Sequence, residues 1–520
     1  MIHPVWTLPW LSLLIWVPIL AGALLFVIGG DKKPCLVKWA ALGVSLGCFM
    51  LSLFVWGQFD NTQSAFQFVE KMDWLSTLHI QYALGVDGFA LPLIILTCLF
   101  TPLVILSAWQ NVKNNISAYL CAFLVMQGLV VGVFSALDSI LFYVFWEAML
   151  IPMFLIIGIW GGQNRVYATI KFFLYTFLGS VFLLIALIYL NYQARQAGVE
   201  NPFAIATFQL LPLTFDQQKW ILLAFLVAFA VKVPMFPVHT WLPDAHTEAP
   251  TGGSVILAAI LLKMGAYGFL RFILPIVPDA AREYGWLVIA ASLIAVVYIG
   301  LVTIVQKDMK RLIAYSSIAH MGFVTLGIFM SFELIDMQTE ASQNMAIMGI
   351  HGAYVQMISH GFISGALFFC IGVLYDRMHS RKINDYGGVI NKMPVFSAFF
   401  VLFALANAGL PGTSGFIGEF LVVISSWKAN IWYAFFAGTT LVFGAVYSLW
   451  LVKRVIYGEV KNQQVAMLQD ITIREKSYLC VLALLVIGFG VYPKPLFDMT
   501  AASAESLVSE FMASKLEERG

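Results

Sequence analysis

The amino-acid sequence predicts an all-α polytopic membrane protein with about fourteen transmembrane helices. Three observations predict this class. Hydrophobic residues make up 61% of the 520 residues and charged residues only 11%, far below the roughly 25% of a soluble domain. Apolar runs of about 20 residues, the length of a membrane span, recur along the whole chain. Two of these runs, five helices apart, are broken by proline and glycine, which predicts two inverted repeats.

The first apolar run, residues 5–29, is longer than a signal-peptide core and follows no Lys or Arg, so we expect it to be retained as a helix. The predicted spans are 5–29, 36–57, 88–109, 117–135, 138–158, 167–190, 219–242, 250–272, 286–305, 310–330, 350–374, 394–426, 432–452 and 477–493. Between the second and third spans, residues 58–87 contain short alternations of polar and apolar residues, which predict a β-hairpin.

The spans divide the chain into four parts. These are 1–116, with helices 1–3 and the external hairpin loop; 117–274, the first repeat of helices 4–8; 275–457, the second repeat of helices 9–13; and 458–520, with helix 14 and a tail. Odd-numbered loops carry about twice as many Lys and Arg residues as the even-numbered loops and the tails, which predicts that both termini lie outside. The net charge of +1 gives no indication of nucleic-acid binding.

Six ionisable residues fall well inside the predicted spans, where an unpartnered charge costs about 2.5 to 3.5 kcal/mol on insertion scales. They are Glu147, Lys232, Lys263, His320, His360 and Glu419. We expect them to pair with one another or to line a pathway rather than to face lipid. Hydrogen-bonded pairs that only hold helices together are the alternative. The mixture of carboxyls, amines and imidazoles favours a chain of groups that pass protons, because their proton affinities can be brought close together.

The stretch AFAVKVPMFPVHTWLPDAH, residues 228–246, places Pro234 and Pro237 directly after Lys232. Pro234 lacks the backbone N–H that the carbonyl of Ala230 would accept, so the seventh helix must kink or unwind there. At membrane depth such backbone is tolerated only inside protein or along a wet cavity. The break therefore predicts that water can reach Lys232.

A second break, around Pro411 in GLPGTSG, lies a few residues before Glu419 in the twelfth span. Because the breaks are five helices apart, an odd number, helices 4–8 and helices 9–13 must insert with opposite topology. The second helix of each unit carries a titratable group, Glu147 and then His320. The fourth helix of each unit is broken beside another, Lys232 and then Glu419. This pattern predicts two half-channels that open to opposite faces.

Some polar residues near the first break support weaker hypotheses. His239, Asp244 and His246 have the chemistry of a two-histidine, one-carboxylate metal site, but their position in a loop favours a structural or proton-uptake role. Lys171 at the start of the sixth helix could tune Glu147 or could simply extend toward the membrane surface. The six cysteines contain no C-x-x-C pair and are expected to be apolar thiols without a metal or disulfide role.

Five motifs together resemble a known family. They are FWEAMLIPMF, AFAVKVPMFPVHTWLPDAHTEAPTGGSVILAAILLKMGAYGFLRF, QKDMKRLIAYSSIAHMGF, ISHGFISGALF and LPGTSGFIGEF. In this order they resemble the antiporter-like membrane subunits of respiratory complex I, most closely the NuoM type, equivalent to mitochondrial NADH dehydrogenase subunit four. The resemblance covers essentially the whole chain.

The resemblance implies roles for the first three buried residues. A glutamate on the fifth helix pairs with a lysine on the broken seventh helix in that family, and these would be Glu147 and Lys232. A lysine on the eighth helix, here Lys263, would be the central proton carrier.

The resemblance also implies that His320 and His360 continue the polar axis across the middle of the bilayer to a terminal group, Glu419. Sister subunits usually have lysine at this last position. Glutamate there, together with the lack of a long C-terminal lateral helix, is typical of the subunit-four type.

In this family the pump is driven by quinone reduction in neighbouring subunits, which would hold FMN, iron-sulfur clusters and quinone. This chain has no flavin, iron-sulfur or nucleotide motif, so we expect no cofactor and no metal in it. The implied partners are other membrane-arm subunits, of the NuoL type and NuoN type, together with the lipid bilayer and protons. The expected location is the bacterial cytoplasmic (inner) membrane, with the mitochondrial inner membrane as the alternative.

Three other functions remain open from the sequence. A Mrp-type sodium/proton antiporter and a membrane-hydrogenase subunit share much of the motif set. An electron-transfer protein in which His320 and His360 ligate a haem b is a third alternative from a different class.

Overall fold

The computed structural model describes residues 8–29, 33–512 and 514–516. Within these residues eleven helices are long and apolar enough to cross a membrane, and a bent pair of helices near the C-terminus would make a twelfth span. The predicted all-α membrane class is therefore confirmed. The count stays below the predicted fourteen because non-helical backbone interrupts the seventh and twelfth predicted spans.

The N-terminal part contains three helices and a β-hairpin. Their bounds are α1 Trp10–Gly29, α2 Pro34–Gln58, β1 Gln67–Leu75, β2 Ile80–Val86 and α3 Ala90–Ser107. The two strands pair antiparallel, so the predicted hairpin is confirmed. The Glu70 carboxylate on β1 accepts hydrogen bonds from the backbone N–H groups of Leu11 and Ser12 at 2.8 and 3.1 Å. It thereby satisfies donors that the first turn of α1 leaves without helical partners. Residues 5–7 of the first predicted span lie outside the described residues.

The next part follows the first predicted repeat. Its helices are α4 Ile116–Ser135, α5 Ser139–Ala148, α6 Leu150–Trp160, α7 Arg165–Gln196, α8 Ile205–Leu210, α9 Phe215–Lys232, α10 Trp241–Glu248, α11 Thr251–Ile256, α12 Leu262–Gly268 and α13 Leu274–Ile276. Helices α5 and α6 form one span that is interrupted just after Glu147, where Pro152 has no N–H for the carbonyl of Ala148. Two π-helical segments, Leu257–Leu261 and Phe269–Ile273, join α11, α12 and α13 into one helical column.

The following part contains the longest helix. Its helices are α14 Pro278–Ile294, α15 Gly300–Ile304, α16 Met309–Ile335, α17 Glu340–Met378, α18 Pro394–Asn407, α19 Ser414–Ala429 and α20 Ile431–Val455. A π-helical segment, Ala295–Ile299, joins α14 to α15. The Asp308 side chain caps α16 by accepting the N–H of Arg311 at 3.1 Å, and Thr339 with Ser342 forms a capping box at the start of α17.

The C-terminal part contains α21 Gln463–Ala466, α22 Ile473–Val491 and α23 Lys494–Met512. The last two helices meet at an angle of 65°. Helix α22 corresponds to the fourteenth predicted span, whereas α23 falls in the predicted tail. The sequence does not predict α23 as a span because charged and hydroxyl residues lie between its apolar ones. Arg377 at the end of α17 holds α22 in place through two hydrogen bonds to the Glu475 carboxylate, at 2.9 and 2.8 Å.

Burial separates the described helices into an inner and an outer group. Helix α17 and the α11–α13 column are entirely buried over their apolar windows, and α3, α4 and α16 are mostly buried. Helices α1, α2, α7 and α20 expose most of their apolar residues, as expected for a perimeter that meets lipid or neighbouring subunits. The ionisable residues predicted at membrane depth lie on or against the inner helices.

Candidate functional site

Lys263 lies in the middle of the buried α11–α13 column. Its side chain is fully buried. The ammonium Nζ donates to the carbonyl of Ala258 at 2.5 Å and lies 2.7 Å from Nδ1 of His360 on α17. Because one proton fits between the two nitrogens, either the amine or the imidazole can carry it. The π-helical segments on both sides of Lys263 are of the kind that often occurs at functional sites.

His320 on α16 and Glu419 on α19 form the second close contact of the buried set. His320 Nδ1 lies 2.9 Å from Glu419 Oε1, and both side chains are almost completely buried. The imidazole rings of His320 and His360 are neighbours, with centroids 5.9 Å apart. Lys263, His360, His320 and Glu419 therefore follow one another across helices α12, α17, α16 and α19, as two close contacts separated by the gap between the imidazole rings.

Two further residues that the sequence analysis did not single out belong to this line. The Gln356 amide on α17 donates to Glu419 Oε1 at 3.3 Å and lies 3.3 Å from His320 Nδ1. The Tyr447 hydroxyl on α20 lies 3.3 Å from His320 Nε2. Gln356 had a signal, because it is an amide at membrane depth one helical turn before His360. With both ring nitrogens of His320 already in polar contacts, the geometry does not support the haem alternative.

Glu147 and Lys232 are both at membrane depth, but they are not in direct contact. No hydrogen bond or ion pair joins these two described residues, and Glu147 Oε1 and Lys232 Nζ are buried without a hydrogen-bond partner. Lys232 Nζ instead lies over the ring of Trp146, 4.9 Å from its centroid, a favourable cation–π arrangement. Glu147 and Lys232 are therefore neighbours that are not in contact, whereas His320 and Glu419 are in contact.

The first break follows Lys232, as the prolines predicted. Helix α9 ends there and α10 begins at Trp241. The carbonyl of Ala230, which Pro234 cannot serve, accepts the N–H of Met235 at 2.7 Å, and the Trp241 indole donates to the carbonyl of Val231 at 2.9 Å. The break is thus a turn in which the carbonyl groups of Ala230 and Val231 both have partners.

The end of α9 also packs tightly against the Lys263 helix. A Cβ atom on Gly265 would lie 2.8 Å from the backbone nitrogen of Val233 and 2.9 Å from the carbonyl of Phe229. Only glycine allows this close approach. Val233, the residue after Lys232, therefore packs against Gly265, which is two positions after Lys263.

The second break, between Asn407 and Ser414, lies beside Glu419. Gly409 in this break has φ +76°, and a Cβ atom there would lie 2.8 Å from Glu419 Oε2. The Ser359 hydroxyl on α17 donates to the carbonyl of Ser414 at 2.9 Å and so ties the break to the helix that carries His360. Pro411 itself is exposed. It lies in the interruption between α18 and α19.

Lys171 does not tune Glu147 directly. Its ammonium forms an ion pair with Asp244 at 2.7 Å, and Asp244 also faces Arg311 at 3.5 Å. His246 is fully buried with its ring stacked on Phe368, 4.6 Å between centroids. The suggested metal set of His239, Asp244 and His246 is therefore not assembled, and no group of three metal-ligating side chains occurs within the part of the chain that the structure describes.

Lys310, the first residue of the tenth predicted span, is buried. Its ammonium donates to the carbonyl of Ala249 at 2.7 Å and to the Ser254 hydroxyl at 3.3 Å. It lines a cavity of about 360 Å³ together with Glu248, Asp376 and other residues. It does not stand out in the sequence because it lies at the very start of that span, two residues after the helix-capping Asp308. This cavity lies at the end of the α11–α13 column where α11 begins.

Comparison with known proteins gives the same family as the motifs. Residues 136–444 match the family model described as NADH:quinone oxidoreductase/Mrp antiporter, transmembrane region. The chain belongs to this family. Residues 23–133 match the model described as NADH-ubiquinone oxidoreductase chain 4, amino terminus. The resemblance to antiporter-like subunits of complex I is therefore confirmed.

Relatives within the NADH:quinone oxidoreductase/Mrp antiporter family are similar over nearly their whole length. NADH-quinone oxidoreductase subunit M of Rhodobacter capsulatus is 47% identical, with 97% of each chain covered. NADH-ubiquinone oxidoreductase chain 4 of Marchantia polymorpha is 42% identical, with 96% of this chain and 97% of the relative covered.

Solved structures give a matching fold. A chain of respiratory complex I from Thermus thermophilus aligns with a TM-score of 0.85 and 28% identity, covering 97% of this chain and 100% of that one. A chain of the Mrp complex from Dietzia has a TM-score of 0.80 at 21% identity, and only 52% of that longer chain is covered. The second likeness shows a shared fold alone.

Proposed function

We propose that this chain is the proton-translocating membrane-arm subunit of an NADH:quinone oxidoreductase. The names of the relatives from Rhodobacter and Marchantia support membership of that complex. The observation that carries the proposal is the buried line from Lys263 through His360 and His320 to Glu419. Every member can gain or lose a proton, and none of them faces lipid.

The line can transfer a proton in short steps. A proton on Lys263 moves to His360 across a 2.7 Å contact, and a proton on His320 moves to Glu419 across 2.9 Å. Between the two histidines, His360 Nε2 is a buried polar atom without a protein partner, and such atoms are ordinarily satisfied by water. A water molecule at Nε2 would complete the transfer, while Gln356 and Tyr447 hold His320 in position.

The Glu147 and Lys232 pair acts as the switch that feeds this line. With the groups apart, burial favours the uncharged forms of both. When they approach, each stabilises the charge of the other. The switch therefore moves a proton away from Lys232 when the pair opens and toward it when the pair closes. Transfer of one charge against 100 mV requires about 2.3 kcal/mol, which the switch must receive from neighbouring subunits.

Redox chemistry belongs to other subunits in this proposal. FMN, iron-sulfur clusters and quinone would reside there, and this chain would hold no cofactor. The partners would be the adjoining membrane-arm subunits of NuoL type and NuoN type, and the location would be the inner membrane. The apolar exposed faces of α7 and α20 support contacts with lipid and with such neighbours.

The fourteen-crossing architecture with two inverted units is part of the same proposal. The breaks between α9 and α10 and between α18 and α19 each fall in the fourth position of a five-helix unit, 117–274 and 275–457. If the broken spans are counted as crossings, the chain crosses the membrane fourteen times, and both termini lie on the outer side. Half-channels that open to opposite faces follow from this inverted topology.

The experiment that tests the function is Lys263→Ala in the intact complex, reconstituted into vesicles. We expect NADH-driven proton translocation per electron to fall in the assembled complex. Lys219→Ala, at an exposed lysine paired with Asp216, is the control and should leave the ratio unchanged. An unchanged ratio in the Lys263 variant would contradict the proposal. Replacing sodium by potassium in the same assay should change nothing, whereas a requirement for sodium would favour the antiporter alternative.

A further inference from the structure

A second buried charge cluster lies on the Lys263 column, and the proton line does not use it. Arg271 stands eight residues after Lys263, about 12 Å along the helix axis. Its guanidinium forms an ion pair with Asp87 at 2.6 Å, and the two side chains are only 11% and 5% exposed. It also lies over the rings of Phe66 and Tyr267. This cluster is at the end of the column opposite to the Lys310 cavity.

Tyr267 stands between the two cations, one turn from each. Its hydroxyl donates to the carbonyl of Phe134 at 3.0 Å and accepts from Arg271 Nε at 3.1 Å. Its ring packs edge-on against the ring of Phe134, 5.3 Å between centroids. The hydroxyl proton is therefore directed at a fixed carbonyl on α4, which cannot pass a proton onward to Lys263.

Other helices close the cluster from the remaining sides. The Tyr354 hydroxyl on α17 donates to the carbonyl of Phe89 at 2.6 Å. The N–H of Gly88 donates to the Ser503 hydroxyl on α23 at 3.0 Å, and a Cβ on Gly88 would lie 2.1 Å from the carbonyl of Met499. The start of α3, the helices α4, α17 and α23, and the Lys263 column thus converge on one point.

The direction of the Lys263 side chain is the second observation. Its ammonium reaches back to Ala258 and sideways to His360, away from Tyr267 and Arg271. The two cations of the column also differ in chemistry. Lysine can release its proton when buried, but arginine stays protonated in proteins. Lys263 in the middle of the column can therefore exchange protons, whereas Arg271 near its end cannot.

We infer that Tyr267, Arg271 and Asp87 form a proton seal. It separates Lys263 from the membrane face at the end of its own helix, so that a proton on Lys263 can leave only sideways through His360. The inference rests on the proposed function and adds to it the residues that prevent protons from leaking directly across the membrane. Without the seal, a proton that reaches Lys263 from one face would meet a direct path to the other face, and the gradient would dissipate through the same lysine.

The test is passive proton flux through the intact complex in vesicles, driven by an imposed pH gradient with no NADH present. The variants are the double change Asp87→Asn with Arg271→Met, which removes both charges together and leaves no unpaired buried ion, and Tyr267→Phe, which removes only the hydroxyl. We expect a several-fold increase in flux for the double variant and a smaller increase for Tyr267→Phe. Adding Lys263→Ala to either variant should return the flux to the wild-type level.

The matched control is Asp336→Asn with Arg282→Met. This Arg–Asp ion pair, 3.3 Å apart, joins α14 to the end of α16, and its removal should leave the flux unchanged. Wild-type flux in the assembled double variant overturns the inference. If the double variant does not assemble, wild-type flux in Tyr267→Phe overturns it. Because no electron transfer occurs in this assay, failure of the seal is distinguishable from failure of the proposed function, which is measured as protons per electron.

Discussion

At the scale of single residues, the two groups of ionisable side chains differ in their contacts. His320 and Glu419 are in contact at 2.9 Å, whereas Glu147 Oε1 and Lys232 Nζ are buried without a hydrogen-bond partner. An unsatisfied buried polar group costs about 1–3 kcal/mol. The open arrangement of Glu147 and Lys232 is therefore the less favourable of the two, which suits the switching role proposed for it.

The first prediction concerns the carboxylate of the switch. Glu147→Ala should abolish proton translocation in the assembled complex, because Lys232 loses the only group proposed to change its charge. Glu147→Asp should retain part of the activity, since it keeps the charge and loses only reach. The measurement is protons translocated per NADH in vesicles. Wild-type translocation in assembled Glu147→Ala complexes would remove Glu147 from the mechanism.

The second prediction concerns Gln356, which bridges His320 and Glu419. Gln356→Leu should lower the proton-to-electron ratio without preventing assembly, because the imidazole and the carboxylate lose the amide that aligns them. Gln127→Leu is a suitable control, since Gln127 is equally buried on α4 but contacts Cys98 instead. Equal ratios in the two variants would show that the Gln356 amide is dispensable.

At the scale of elements, the helix breaks are built differently. The break after α9 uses prolines, and the N–H of Met235 replaces the donor that Pro234 lacks. The break before α19 uses glycines with positive φ, at Gly409 and Gly412. The glycine break can be tested with a smaller change, because replacing glycine by alanine adds only one methyl group.

The third prediction is that Gly409→Ala lowers both stability and translocation. The left-handed backbone costs roughly 1–2 kcal/mol for a residue with a Cβ, and that Cβ would lie 2.8 Å from Glu419 Oε2. Gly412→Ala has the same backbone cost, at φ +89°, but its Cβ meets nothing within 4 Å. The thermal unfolding temperature of the complex should be lower in both variants. Proton translocation should be lower only in Gly409→Ala. Equal translocation in both variants would contradict the role given to Gly409.

The sequence predicted the elements of the site better than their details. Charged residues inside apolar runs are conspicuous, so the six ionisable groups and both breaks could be found without coordinates. Gln356 and Tyr447 were missed because neither is charged, and so neither carries the insertion cost that marks a charged residue in an apolar span. Lys310 was missed because a lysine at the start of a helix resembles a loop residue. The distance between Glu147 and Lys232 could not be predicted, since it depends on how Trp146 packs between separate helices.

At the scale of the whole molecule, distant segments of the chain are joined by ion pairs near the membrane surfaces. Arg377 and Glu475 join α17 to α22, and Asp87 with Arg271 joins the start of α3 to the Lys263 column. Each pair joins helices that are far apart in the chain. These contacts could not be predicted from the sequence, because their partners are about 100 or more positions apart.

The fourth prediction concerns the joint between α17 and α22. Arg377→Ala should destabilise the protein by about 2 kcal/mol, between the values for an exposed and a fully buried ion pair. The reason is that the Glu475 carboxylate stays buried after its partner is removed. Lys494→Ala breaks an exposed pair with Asp498 and should change the unfolding free energy by under about 1 kcal/mol. The measurement is the midpoint of thermal unfolding of the complex in each variant. Equal midpoints for the two variants would contradict the prediction.

The length of α17 has a mechanical consequence. At 39 residues it is about 58 Å long, nearly twice the thickness of the hydrocarbon core. Tyr354, Ser359 and His360 stand on this one rod, at the seal, at the second break and in the proton line. A rotation of the rod about its axis changes all three contacts in the same step. The three contacts are therefore mechanically linked through α17, because none of them can follow a rotation of this helix without the other two.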